Sequence, residues 1–393
     1  MEVDHDPIDT DYIDYIKIQW RKNNLKYKVM GSRISFYNFD VDYASGKQHY
    51  DGELFFKENK QGGMPVTFIN MDAKAGTKLS VEEIFRLNIK LYDKRILRPW
   101  MYTFCKQKSF NDELCSEAER KMVKGWWSLC YEKFDNTLTE WLVKLQNKEI
   151  SDPDKLNFNV GNKCLSDFWR LTIRELIEAI AYIHDCGFFH GSLKVSGNYV
   201  VVGEQVKLCN IGGFLKSLRV HDQHSRKIQD FKDFRDTLKK LMTIGHGKWP
   251  ERDSFFKCFD ELAKLYGYGK YVEKLKKHPF LLTPYERVKH IVGIYYDDKF
   301  IVEDKLNHSG NFNVFRGWTR DRHKLEPFLR KILETGKGKQ YSDQPSELLR
   351  FLRNTYQHYR QYSDETEGIN IEHVDTIFRT RWVDFFDRIH LIG

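Results

Sequence analysis

The stretch FFHGSLKVSGNYVVVGEQVKLCNIGGF, residues 188–214, reads as loop, short strand, turn, short strand and loop. Its β-branched runs are brief, and Gly203 with Glu204 separates them as a turn would. Immediately before it, residues 167–185 carry Trp169, Ile173, Leu176, Ile177, Ile180 and Ile183 at helical spacing. That is one apolar face of a long amphipathic helix. Gly187 follows the last apolar turn, as a C-terminal glycine does.

Working outward from this centre, the two halves differ in pattern. ISFYNF, GELFF and PVTFINM are strand-like runs among Gly- and Asn-rich turns, and ILRPWMYTFC and GWWSLCYEKF flank a polar loop. Ser80 with Glu83 reads as a capping box ahead of a helix bearing Ile84, Leu87 and Leu91. After Asn136 the chain turns mainly helical, and Thr137 with Glu140 forms a second capping box. Strands first and helices second predict an α+β fold of two lobes. Residues 1–26, acidic and then basic, read as a partly disordered lead-in. No internal repeat is evident.

The composition bounds the class. Of 393 residues 41% are hydrophobic and 15% aromatic, which excludes a disordered chain. The net charge of +8 is compatible with an anionic partner but does not identify one. Seven scattered cysteines contain no two-residue-spaced pair, so neither a zinc site nor a disulfide framework is expected. The first residues lack the apolar core of a signal peptide, and no run of eighteen apolar residues occurs. The expectation is a protein of the cytoplasm or nucleus, with no membrane partner and no DNA partner.

LLRFLRNTYQH, residues 348–358, carries the chemistry. As a helix it places Leu348, Leu352, Tyr356 and Tyr359 on one stripe. Asn354 and His358, four residues apart, then share another face with Arg353 beside them. A guanidinium and an amide can stabilise charge on a phosphorane, and an imidazole can shuttle a proton near neutral pH.

The 167–214 segment resembles the catalytic and metal-binding loops of a protein kinase, and the match runs in order from residue 27 to KKHPF at 276–280. The resemblance implies a bilobal domain over 27–282, with an N-lobe at 27–133 and a C-lobe at 134–282. Glu83 lies where the helix-C glutamate belongs. The phosphoryl-transfer groups depart from the pattern. Ile69 or Asn70 stands in place of the lysine, Ser192 of the catalytic aspartate and Asn210 of the metal-binding aspartate, and Asn198 is displaced by one residue. Only 22 residues separate Asn210 from Asp233, short for an activation segment. A pseudokinase without tight Mg-ATP binding is expected, with only the apolar hinge around Tyr131–Phe134 left to help, and no metal or other cofactor is expected.

Residues 283–393 continue past the usual kinase end. SELLRFLRNTYQHYRQY, FRGW at 315–318 and the last helix, IFRTRWVDFFDRIHLIG, resemble the kinase-extension nuclease (KEN) domain. That domain occurs in the unfolded-protein-response sensor kinase/endoribonucleases and in ribonuclease L. The resemblance implies a mainly α-helical nuclease domain that cleaves RNA without a metal, through the substrate's 2′-hydroxyl, to a 2′,3′-cyclic phosphate. It assigns His358 as general acid, Arg353 and Asn354 to the phosphate, and Tyr341 to the 2′-hydroxyl. Tyr341 lies twelve residues before Arg353, one short of the family spacing, and Gly317 stands where an acidic residue is common. Between residues 311 and 360 eleven Lys and Arg face five Asp and Glu, a local bias that suits RNA. The resemblance implies activity as a homodimer on a pseudokinase scaffold. The other reading is a catalytically weak, RNA-binding or regulatory pseudoenzyme that dimerises with active relatives.

Overall fold

A computed structural model describes residues 13–19, 26–30, 35–36, 49–56, 64–70, 81–106, 125–147, 149, 158–160, 164–243, 249–297, 299–335, 340–363 and 369–392. The fold is mixed α+β, with antiparallel sheets and many helices. It divides into two compact units, Met1–Ser151 with Glu178–Thr237, and Asp152–Ile177 with Leu238–Gly393. The segment from Leu238 therefore gathers with the C-terminal extension, a different partition from the expected 27–282 and 283–393.

The first unit is built on strands β1 (Ile13–Gln19), β2 (Lys26–Met30), β3 (Ser35–Phe36), β4 (His49–Phe56), β5 (Met64–Asn70), β6 (Pro99–Lys106) and β7 (Gly125–Glu132). They form a sheet in the order β2-β1-β4-β5-β7-β6-β3. β1 falls inside the segment read as a lead-in, a correction: it pairs with both β2 and β4. The isoleucine-rich run IDYIKIQ is itself a strand sequence, and the charges around it masked that signal. Phe68 of β5 lies opposite Cys130 of β7, and Tyr102 of β6 opposite Leu129. Helix α1 (Val81–Asn88) buries Val81, Ile84 and Leu87, with Glu83 exposed; the Ser80 half of its expected capping box lies outside the described residues. Ile69, Ile84, Leu97, Leu129, Tyr131, Phe134 and Cys209 make one apolar cluster.

Strand β8 (Asn136–Thr137) leads into α2 (Leu138–Gln146) through the expected capping box. The Thr137 hydroxyl accepts from the Glu140 N–H, and the Glu140 carboxylate accepts from the Thr137 N–H. Strands β9 (Asn159–Val160) and β10 (Cys164–Leu165) pair in the second unit. The long helix α3 runs Asp167–Asp185 as expected, its six apolar positions all buried, and Gly187 has φ +86°. In the 188–214 stretch, β12 (Tyr199–Val202) and β13 (Gln205–Leu208) form the hairpin, and β12 also pairs with β8. Its two ends, β11 (Phe188–Phe189) and β14 (Gly213–Phe214), pair with each other. A Cβ on Gly213 would stand 2.2 Å from the Phe189 ring, so the pairing requires glycine there.

This loop is tied down from helix α4 (Val220–Thr243). Asp230, fully buried, accepts the His190 N–H at 2.7 Å, the Gly191 N–H at 2.9 Å and His184 Nε2–H at 3.0 Å. Burial pushes Asp230 up, but the His184 hydrogen bond and nearby positive charges bring it below the usual carboxylate range. Burial holds His184 low despite its acidic partner, so the pair is a neutral imidazole donating to a carboxylate.

The second unit adds helices α5 (Pro250–Leu265), α6 (Tyr268–Lys276), α7 (Pro284–Asp297), α8 (Lys299–His308), α9 (Pro327–Thr335), α10 (Pro345–His358), α11 (Arg360–Ser363), α12 (Ile371–Arg381) and α13 (Phe385–Ile392). The final IFRTRWVDFFDRIHLIG was read as one helix. It is two, because the chain breaks after Arg381 and Asp384 takes a positive φ of 67°. The break turns Phe385, Phe386 and Ile389 into the same core that Phe378 and Trp382 enter. At the centre, Arg287 of α7 grips Asp375 of α12 through Nε and Nη2, both at 2.8 Å, and Tyr356 of α10 donates to the same carboxylate at 3.1 Å. Arg379 reaches Glu251 of α5 with two nitrogens.

Two outcomes are expected. Asp375→Ala leaves a 4%-exposed Arg287 without its counter-charge and should lower stability by about 3–5 kcal/mol in chemical denaturation. Burial lowers His278 to about 3 and His290 to about 4, against an ordinary 6.5. Both are therefore neutral when folded and take up protons when unfolded. Their contribution is complete above pH 6.5 and is lost as pH falls towards 4, so the melting temperature should drop across that window.

Candidate functional site

Helix α10 begins at Pro345, which suits a first-turn position, and buries Leu348, Leu349, Phe351, Leu352, Thr355 and Tyr356. The expected stripe of Leu348, Leu352, Tyr356 and Tyr359 is buried in full. That orientation leaves Arg353 and Asn354 half-buried and His358 exposed in the last turn. Residues four apart on a helix stand about 5–6 Å from one another at Cβ, so Asn354 and His358 face the same side.

Tyr341 joins them from outside the helix. Its hydroxyl accepts a hydrogen bond from Asn354 Nδ2 at 2.7 Å. The loop before Pro345 thus brings Tyr341 back onto the helix at Asn354. Only 8% of Tyr341 is exposed, and the Arg350 guanidinium lies 4.3 Å from its ring centroid. Burial raises the Tyr341 pKa above its ordinary value, and the Asn354 hydrogen bond offsets this only in part. The phenol is thus neutral near pH 7. With a lone pair taken by Asn354, it has its own proton to donate, so it is suited to orienting a hydroxyl or phosphate oxygen rather than removing a proton.

Arg353 is set by aromatic faces. Its guanidinium carbon lies 4.5 Å from the Tyr295 ring centroid and 5.3 Å from that of Tyr296, both on α7. Nη1 donates to Gln357 at 2.8 Å. The two ring faces attract the guanidinium and restrict its position, and it keeps N–H groups for an oxyanion. Tyr295 and Tyr296 are adjacent in the last turn of α7, and that pair was the signal available in the sequence.

The loop carrying Tyr341 is clipped to the FRGW turn. The Gly317 N–H donates to Asp343 O at 3.1 Å, Trp318 Nε1 donates to Ser342 O at 3.1 Å, and the Thr319 hydroxyl donates to the Asp343 carboxylate. Trp318 also packs against Tyr341 and Phe351. Gly317 has φ +75°, and a Cβ there would meet Arg320 Nε at 2.9 Å. Glycine is thus what the turn needs, and the carboxylate at this corner comes from Asp343, which the sequence reading passed over.

Among the basic residues counted between 311 and 360, Arg320, Arg322, Arg330 and Arg360 are exposed, whereas Lys324 pairs with Asp321 and Arg350 with Glu347. Lys337 and Lys339 lie outside the described residues.

In the first unit, the positions singled out for phosphoryl transfer come together as neutral groups. Asn198 donates to Ser192 O at 2.8 Å and Ser192 Oγ at 2.9 Å, Asn210 donates to Asn198 Oδ1 at 3.1 Å, and Tyr131 donates to Asn210 Oδ1 at 2.8 Å. Hard cations such as Mg²⁺ favour carboxylate oxygens, and these four side chains are amides and hydroxyls. They do not fit a Mg-ATP site. Ile69, at the expected lysine position, is in the apolar cluster. Among the described residues no three His, Cys, Asp or Glu side chains gather as metal ligands.

No family model matches the chain, and no curated protein matches it. Among the described residues no helix is long and apolar enough to cross a membrane.

Gly317→Ala is expected to cost about 1–3 kcal/mol through backbone strain. It should also disturb the Tyr341 loop, read as a changed tyrosine environment by near-ultraviolet circular dichroism.

Proposed function

We propose that this protein is a metal-independent endoribonuclease of the kinase-extension nuclease type, with a pseudokinase-like domain of bilobal plan preceding the nuclease segment. The observation that carries the reading is the 2.7 Å bond between Asn354 and Tyr341, which joins a loop phenol to the face of α10 that Asn354 shares with His358, with Arg353 beside it.

In this reading the scissile phosphate lies between Arg353 and Asn354. Tyr341 donates to the reacting oxygens and holds the 2′-hydroxyl in line with the phosphorus, and the hydroxyl proton passes to solvent. The new 2′-oxygen–phosphorus bond forms as the bond to the 5′-oxygen breaks. His358, exposed in the last turn, acts as general acid and gives a proton to that leaving oxygen. Charge on the non-bridging oxygens meets the Arg353 fork, whose orientation is set before substrate arrives. The product ends are a 2′,3′-cyclic phosphate and a 5′-hydroxyl. Homodimers are the active form in this proposal, as the family resemblance implies.

The test is cleavage of a structured stem-loop RNA and of single-stranded RNA in EDTA, at protein concentrations where a dimer is present. Wild type should cut and leave the cyclic phosphate. His358→Ala should be slower by about 100-fold or more. Tyr341→Phe keeps the ring but leaves Asn354 without its acceptor, and it should lose rate more than binding. Equal inertness of wild type and His358→Ala would sink the nuclease reading and leave the regulatory pseudoenzyme. Transfer of the γ-phosphate of Mg-ATP to a protein substrate would overturn the pseudokinase reading.

A further inference from the structure

A second site, away from α10's catalytic face, lies wholly within the second unit. A cavity of about 520 Å³ opens among α3, α6, α7, α8 and the end of α13. Five Lys and Arg line it against two Glu. The two carboxylates are already engaged: Glu286 accepts from Arg174 at 2.8 Å, and Glu273 from Lys277 at 2.7 Å. Three cations remain. Lys270 and Lys289 sit over tyrosine faces, 4.8 Å from Tyr266 and 4.7 Å from Tyr285, with no carboxylate partner among the described residues.

Lys274 is the informative one. It is only 8% exposed, and its ammonium donates to His390 O at 2.7 Å, a carbonyl that satisfies one donor without neutralising the charge. Burial lowers it to about 8, and neighbouring Lys270 adds to that. A buried cation without a counter-ion is costly unless something anionic compensates it.

The wall behind it is fixed and neutral. His390 Nε2 faces the Lys274 carbonyl at 2.8 Å, so it must carry the proton, and Nδ1 then accepts from His290 Nε2–H at 3.1 Å. Burial keeps His290 and His390 below their ordinary range. They supply hydrogen bonds and shape rather than charge, and Leu282, Ile294 and Val302 give the cavity an apolar side.

We propose that this cavity binds a small phosphorylated organic anion carrying at least two phosphate groups, held by Lys270, Lys274 and Lys289, with an uncharged moiety against the apolar side. The volume falls in the range of small-molecule sites and suits a nucleotide-sized ligand. Three cations lining one cavity match several phosphate oxygens better than a single carboxylate. The ligand would tie α6, α7 and α13 together, and so act on the unit that carries Tyr341 and His358.

The test is calorimetric titration of the full chain in EDTA with inorganic tripolyphosphate and with adenosine 5′-triphosphate, with sulfate at equal ionic strength as control. One saturable site is expected, tighter for the nucleotide than for tripolyphosphate, and absent with sulfate. At pH 8.5 binding should take up protons, because an anion beside Lys274 favours its charged form. Lys270→Glu and Lys289→Glu alter exposed side chains that folding does not need, and each should weaken binding by roughly tenfold or more. Lys264→Glu, outside the cavity, should not. No saturable binding, or binding unchanged in both variants, overturns the proposal. No RNA enters the titration, so its outcome is separate from that of the nuclease reading.

Discussion

The second unit depends on one buried ion pair, Arg287 with Asp375. Two parallel bonds at 2.8 Å hold a planar guanidinium to a planar carboxylate, and both residues are almost wholly removed from solvent. Such a pair is seldom a large net gain over well-packed apolar residues, because both charges must be stripped of water. What it imposes is geometry. Arg287 belongs to α7 and Asp375 to α12, and Tyr356 of α10 donates to the same carboxylate, so three helices share one reference point. Arg287 also donates to Pro279 O, which fixes where α7 leaves the HisProPhe corner. A rotation of α10 would break the Tyr356 bond and carry Arg353 off the two α7 tyrosines at once.

The first unit solves an analogous problem with a single carboxylate. Asp230 accepts from two consecutive backbone N–H groups and an imidazole, so a loop with few ladder bonds of its own is held by one α4 side chain. Asn88 does the same for residue 211: its amide donates to Ile211 O at 3.0 Å and accepts from the Ile211 N–H at 3.1 Å. Each device satisfies backbone groups that a buried loop would otherwise leave unpaired. Around them, Ser192, Asn198 and Asn210 satisfy one another. A neutral network of this kind keeps the loop in one arrangement without a cation, whereas the acidic residues of an active kinase would repel one another in the same space.

Much of this was legible in the sequence, for a physical reason in each case. The extent of α3, the Thr137–Glu140 box and the buried stripe of α10 follow from local periodicity and capping, which the chain cannot hide. Asn354 and His358 share a face, with Arg353 beside it, because helix geometry puts them there. What could not be read were relations set by long-range packing. Tyr341 was placed only by resemblance and with a spacing in doubt. Its contact with Asn354 rests on the loop shape imposed by Trp318, Thr319 and Asp343. The stacking of Arg353 on Tyr295 and Tyr296 joins residues more than fifty apart. The break at Asp384 was missed because VDFFDRI keeps a helical apolar pattern on both sides of it, and β1 because charged flanks outweighed a short strand.

The basic excess around α10 mixes arginines that are exposed with ones already committed: Arg350 to Glu347 and the Tyr341 ring, and Arg353 to Gln357 and two tyrosines. The committed ones matter for chemistry because commitment fixes their direction. The cavity beside α6 is the opposite case. Its paired cations, Arg174 and Lys277, set the walls, and those left without carboxylates line the same cavity. A cation whose partner is supplied by the fold builds structure, and one whose partner the fold withholds marks where a ligand's charge belongs. By that criterion Arg353 and Lys274 differ in kind: the first is held by its neighbours where the proposed nuclease site needs a phosphate contact, and the second is buried where the proposed anion would supply the missing charge.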